Sequence, residues 1–143
     1  MAEKFFSEKN LKFTLYDVHN VEELLGHTMF SDYNRESFDM VLDTAKNIAA
    51  GFMYPLYSEM DKKPPEYTGS TIKVNPAVKE YMLTSGEGGR INATFPPEHG
   101  GQQMPLSLFN ACRLIFAWAN YSLRVYPGLT PGAANLIYNY ATE

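Results

Sequence analysis

Apolar residues recur at three- and four-residue steps from Phe38 through Val41, Leu42, Ala45, Ile48, Ala49, Phe52, Met53 and Leu56 to Met60. An α-helix gathers that spacing onto one side, because 3.6 residues make a turn. Glu36, Asp39, Asp43, Lys46 and Asn47 fall mostly off the stripe and form its solvated side. Asn34 is a suitable N-cap, and Tyr33 before it is placed to pack on Phe38 as a hydrophobic staple. A helix over residues 35–60 would run about 39 Å. Pro55 lies inside it, lacks a backbone donor and crowds the preceding turn, so a bend is expected there.

The other segments are also read as helical. Residues 11–18 fit both an alternating strand and a helix face through Leu11, Leu15 and Val18, and the helix is favoured. Asn20 with Glu23 at the N3 position predicts an Asn-headed capping box and a short turn that stops at Gly26. The pattern dissolves over residues 61–75, where only a tiny hairpin is expected, pairing residues 71–74 with the neighbourhood of Tyr67. Asn75 followed by Pro76 starts a second helix over 76–85, ended by Gly86. Residues 86–101 are irregular and rich in Gly and Pro. Pro105 then opens a helix so apolar that it is expected to be buried all round, from Leu106 through Phe109, Cys112, Ile115 and Phe116 to Trp118. After a break at Tyr126, Pro127 and Gly128, Thr130 and Pro131 repeat the cap-plus-proline start for a last helix. The fold class is therefore all-α, a helical up-down or orthogonal bundle with at most one hairpin near residues 67–74.

Composition narrows the class of molecule. The 143 residues are 45% hydrophobic and include 9 Phe, 10 Tyr and one Trp, too apolar for a disordered chain. A chain this long buries roughly 70% of its unfolded surface without staples. Sixteen acidic residues against twelve Lys and Arg give a net charge of −4, with no basic footprint for nucleic acid or an anionic membrane. The longest apolar run is far short of the roughly 18 residues of a membrane span. The lone Cys112 has no partner for an internal disulfide, and residues 1–8 lack the order of a signal peptide, so a cytoplasmic location is expected.

Candidate chemistry is sparse. His19, His27 and His99 show no metal-ligand spacing with each other, with Cys112 or with carboxylates, so no metal site is expected. Cys112 sits in the most apolar helix, where packing outweighs nucleophilic use. The Gly86-Glu87-Gly88-Gly89-Arg90 run follows a helix rather than a strand, which favours a turn over a phosphate loop. No nucleophile elbow or paired carboxylates stand out, so no catalytic residue is assigned.

The most informative stretch is Pro96-Pro97-Glu98-His99-Gly100-Gly101-Gln102-Gln103-Met104-Pro105, then the apolar helix, then Tyr126-Pro127-Gly128-Leu129-Thr130-Pro131-Gly132-Ala133-Ala134. This order resembles the P-E-x-x-G-G-Q-G-x-P segment, buried helix and Y-P-G-L-T-x-G-A turn of the N-terminal helical domain of acyl-CoA dehydrogenases. Residues 11–25 resemble the extra N-terminal segment of the longer, bacterial type. Phe30 to Asn34, the Pro55 helix and Pro64-Pro65 also fall in register. Gln103 departs from the family by replacing a Gly, and residues 86–90 replace an Ala-Gly-Trp, so the local turns are expected to differ.

The resemblance implies a division into residues 1–33, an extension packed on the bundle, and 34–143, the N-terminal helical domain, cut at its C-terminal end. It implies FAD in the complete enzyme, none bound to these residues alone, and a catalytic base in a missing C-terminal domain. In the family, hydride passes from the acyl β-carbon to the flavin while a carboxylate takes the α-proton. The implied partners are the remaining domains, the acyl-CoA substrate and further copies in a homo-oligomer. By chain position, Leu123, Tyr126 and Leu129 become candidates to line the acyl pocket, with ordinary core as their other reading. Arg124 among them either meets an acidic group of those domains or stands in solvent. A free-standing helical module that binds a partner or a lipid-like acyl group is the alternative function.

Overall fold

The computed structural model describes residues 5–141, and among them the chain is a helical bundle with one two-stranded hairpin. Helix α1 (Glu8–Lys12) passes into a π-turn (Phe13–Val18), then into short 3-10 turns (Val21–Gly26, Thr28–Phe30). Helix α2 is Arg35–Ile48, and α3 is Tyr54–Lys62. Strands β1 (Glu66–Tyr67) and β2 (Ile72–Lys73) pair antiparallel, Tyr67 opposite Ile72. Helices α4 (Ala77–Glu87), α5 (Leu106–Gly128) and α6 (Thr130–Tyr140) follow.

The long helix starts as its sequence predicts. Asn34 Oδ1 accepts the Ser37 N–H at 2.8 Å, and the Ser37 hydroxyl accepts the Asn34 N–H at 2.8 Å, closing a capping box. The Tyr33 and Phe38 rings meet edge-on, 5.8 Å between centroids. Pro55 acts on the backbone just upstream. Residues Ala49–Met53 open into a π-turn, and the Tyr54 N–H reaches back five residues to the Ala49 carbonyl. The wider turn accommodates a ring that would crowd the carbonyl of Gly51 in a regular helix.

Helix α5 runs through the middle of the bundle against α2, the π-turn, α3 and α4. Phe38, Leu42, Ala45, Ala49 and Met53 meet Leu108, Ile115, Ala119 and Leu123 in the core, joined by Val78 and Tyr81 of α4. Phe5 stacks on Tyr54 at 4.9 Å and Phe6 on Trp118 at 6.0 Å. Polar ties run alongside: Lys46 bridges Glu8 (3.0 Å) and Asp43 (2.9 Å), and Lys12 bridges Glu8 (3.1 Å) and Asp39 (3.0 Å).

Several expectations need correction. Asn20 makes no side-chain cap; its backbone is left-handed at φ 44°, and its amide instead donates to Glu23 Oε1 at 2.6 Å. Asn75 does cap the Ala77 N–H at 3.0 Å, but α4 runs through Gly86 to Glu87 and turns at Gly89 (φ +63°). Helix α5 is not buried all round. Leu106, Leu114 and Trp118, spaced at four and eight residues, are exposed along one side. The break expected at residues 126–128 falls just after them, since α5 continues through Pro127 to Gly128 and Leu129 separates it from α6. A further interruption, which the sequence did not announce, falls at Asn120 (φ −163°, ψ 95°), where the side chain replaces the lost helix bond by capping the Leu123 N–H at 3.0 Å. Thr130 is the first helical residue rather than a side-chain cap.

Candidate functional site

The turn singled out by the resemblance, residues 122–129, is the end of α5 and leads through Leu129 into α6, making the corner between them. Its three candidate residues stand in different surroundings. Leu123 is wholly buried in the core, Tyr126 is half-buried against it, and Leu129 is 81% exposed. With Leu136, Ile137 and Tyr140 of α6, Leu129 belongs to an exposed apolar surface. Helix α6 has no buried residue and is held at Tyr138, whose ring meets those of Phe95 (5.6 Å) and His99 (5.0 Å).

The Pro-Glu-His-Gly-Gly-Gln-Gln segment positions this corner. Its backbone is sewn onto residues 93–96: Gly101 N–H to the Pro96 carbonyl at 3.1 Å, Gln103 N–H to Phe95 at 2.8 Å and Met104 N–H to Ala93 at 2.9 Å. Gly101 lies so close to the Phe95 carbonyl that a Cβ would occupy the same space. Gly100 (φ +71°) and Gln103 (φ 50°) are both left-handed. The position where the acyl-CoA dehydrogenase pattern has Gly therefore keeps a backbone suited to Gly while carrying Gln. Tyr33 Oη donates to the Gln102 carbonyl at 2.8 Å, tying the loop to the start of α2.

Beneath the corner lies a cavity of about 250 Å³ that the sequence did not disclose. One face of α2 from Met40 to Ile48 forms a wall; Tyr81 and Ser85 of α4, Phe109, Cys112 and Phe116 of α5, and Pro127 and Pro131 complete it. The walls are mainly apolar, yet Arg90, Arg113 and Arg124 line them and no Asp or Glu does. Arg113 Nη2 donates to the Gly128 carbonyl at 3.5 Å, and the Arg124 guanidinium packs over the same glycine. Arg90 folds over Gly88 and donates to Ser85 Oγ at 3.2 Å. The Nε atoms of Arg90 and Arg124 are buried without a hydrogen-bond partner, and among the described residues none of these three arginines forms a salt bridge. Arg113 is held below its usual pKa by burial and then by the like charge of Arg124; Arg90 is lowered by burial. Arg124, noted in the sequence, turns toward this cavity, whereas Leu123, Tyr126 and Leu129 do not line it.

The remaining candidates are inert in character. Burial pushes the Cys112 thiol up to about 12, so it carries little thiolate at neutral pH. Among the described residues no three His, Cys, Asp or Glu side chains gather as a metal site, and no helix is long and apolar enough to cross a membrane.

No family model matches the chain. It is 26% identical over 133 residues to the broad-specificity linear acyl-CoA dehydrogenase FadE5 of Mycobacterium tuberculosis, a match covering 92% of this chain and 22% of that protein. The chain thus spans under a quarter of the length of the relative it matches. An all-α bundle with one small hairpin is compatible with the N-terminal domain of such an enzyme.

Proposed function

We propose that these residues form the N-terminal helical part of an FAD-dependent acyl-CoA dehydrogenase that takes hydrogen from the α and β carbons of acyl thioesters in a bacterial cytoplasm. Residues 34–143 are the helical domain and 1–33 its packed extension. The observation that carries the reading is the similarity to an acyl-CoA dehydrogenase along 92% of the chain, joined to the ordered segments from Phe30 to Ala134. The exposed apolar residues of α6 and of the outer side of α5 support it, because such surfaces mark sites of association.

In this reading the α5–α6 corner walls the acyl pocket. Leu129 presents the contact surface, Tyr126 flanks it, and the buried Leu123 supports both from behind. FAD would supply the two-electron acceptor, but these residues do not enclose it. The cavity, about 250 Å³, stands at the small end of ligand pockets and is far too small for a dinucleotide such as FAD. Most flavin contacts, the catalytic base and the contacts between copies then belong to the rest of the enzyme.

The test is twofold. The reading frame past Glu143 is expected to continue for several hundred residues, and a stop codon there favours a free-standing binding module instead. The purified 143-residue chain is expected to be colourless and inactive on acyl-CoA; bound yellow flavin with turnover would overturn the division of labour.

A further inference from the structure

Three arginines facing an apolar cavity without a carboxylate form an incomplete electrostatic arrangement. Buried or half-buried charges are ordinarily paired. Here Arg113 and Arg124 meet at one residue, Gly128, so their repulsion adds to the loss of hydration. Several cations elsewhere are paired: Arg35 meets Glu22 at 2.6 Å, and Lys12 and Lys46 each meet two carboxylates. Of the four arginines only Arg35 meets a carboxylate among the described residues, and the other three all line this cavity. A guanidinium offers a planar fork that matches a carboxylate. Thr44, Tyr81, Ser85 and Gln102 add polar atoms, but most of the remaining lining, including Val41, Ile48 and Phe116, suits hydrocarbon.

We propose that this cavity binds a linear alkanoate, its carboxylate held by Arg113 and Arg124 beside Gly128 and its chain lying between α2 and α5 against Val41, Ile48 and Phe116. At about 30 Å³ for each water-sized group, the volume suits about six to eight carbons. The inference stands on the cavity and does not need the catalytic reading above; either can fail alone.

Isothermal titration of the full 143-residue chain separates the components. Octanoate is expected to saturate one site. Octanol, with the chain but no charge, is expected to bind at least tenfold more weakly, and inorganic phosphate, with charge but no chain, not to saturate. Arg113→Gln and Arg124→Gln should each weaken octanoate about tenfold, while Arg35→Gln leaves it unchanged. Val41→Trp should abolish binding by filling the cavity with the arginines intact. Circular dichroism melting shows which variants fold, and the three wild-type titrations decide the matter if none does. Failure of octanoate to bind, octanol binding as tightly, or phosphate binding as tightly would each overturn the proposal.

Discussion

Replacing Asn120 by Ala tests the joint on which the bundle turns. The side chain does two things inside the core. Its Oδ1 caps the second half of α5 at the Leu123 N–H, and its Nδ2 donates to the Met53 carbonyl at 3.1 Å, where the π-turn meets α3. Loss of a cap costs about 1 kcal/mol, and stripping a buried polar group of its partner about 1–3 kcal/mol. Together the expected loss is about 3 kcal/mol. The unfolding entropy of a chain this size is roughly 0.3 kcal/mol/K, so Tm should fall by about 10 °C, read by circular dichroism at 222 nm. Asn120→Asp adds a sign to the test. It keeps the acceptor for Leu123 but, when ionised, has no donor for Met53. Burial raises its pKa, and the protonated acid can donate again. Its deficit should therefore shrink as pH falls from 8 to 5, whereas that of the Ala variant should not. An Ala variant melting within 2 °C of the parent, or an Asp deficit independent of pH, would refute the two-bond account.

Gln103→Gly should stabilise the fold by about 0.5–1 kcal/mol, since relief of the left-handed backbone outweighs the added freedom of the unfolded chain; a lower midpoint in urea would contradict it. Gly101→Ala places a Cβ in the Phe95 carbonyl and should cost at least about 3 kcal/mol, visible as a large fall in Tm. Hydrogen bonds from Lys46, first in importance, hold Glu8 and Asp43 below their ordinary carboxylate values, with Lys12 adding to the effect. Such groups stabilise fully above their unfolded pKa values, near 4.5 and 3.8, and lose that contribution as pH falls through the lower folded ones. The denaturation midpoint should therefore drop on acidification below about pH 4.5, and less in Lys46→Met; these carboxylates are more than a third exposed, which keeps the difference under about 1 kcal/mol.

What the sequence disclosed and what it withheld divide along physical lines. The start of α2 was legible because a cap, a staple and a long apolar stripe are local and agree with one another. The Asn120 joint was not, because its meaning depends on a carbonyl 67 residues away. Read locally, Asn120 is one polar residue near the end of an apolar run. The error over α5 has a related cause: hydrophobicity on every side marks a helix as covered, but not by what. Its uncovered side, with Leu106, Leu114 and Trp118, and the surface of α6 are where the proposed domains would lie.

The cavity was illegible for a further reason. Arg90, Arg113 and Arg124 lie on three stretches, the turn after α4 and both halves of α5, and nothing in their spacing predicts that they converge. Arg124 drew attention as a charge among apolar neighbours, and the sequence left it between solvent and an absent acid. The fold supplies a third environment, an interior edge shared with two other cations. Three of the four arginines line one mainly apolar cavity with no carboxylate among the described residues of its walls, which sets an electrostatic demand there. Whatever covers α6, that demand exists within the chain itself, so an anion with a hydrocarbon tail should find it even in the isolated bundle.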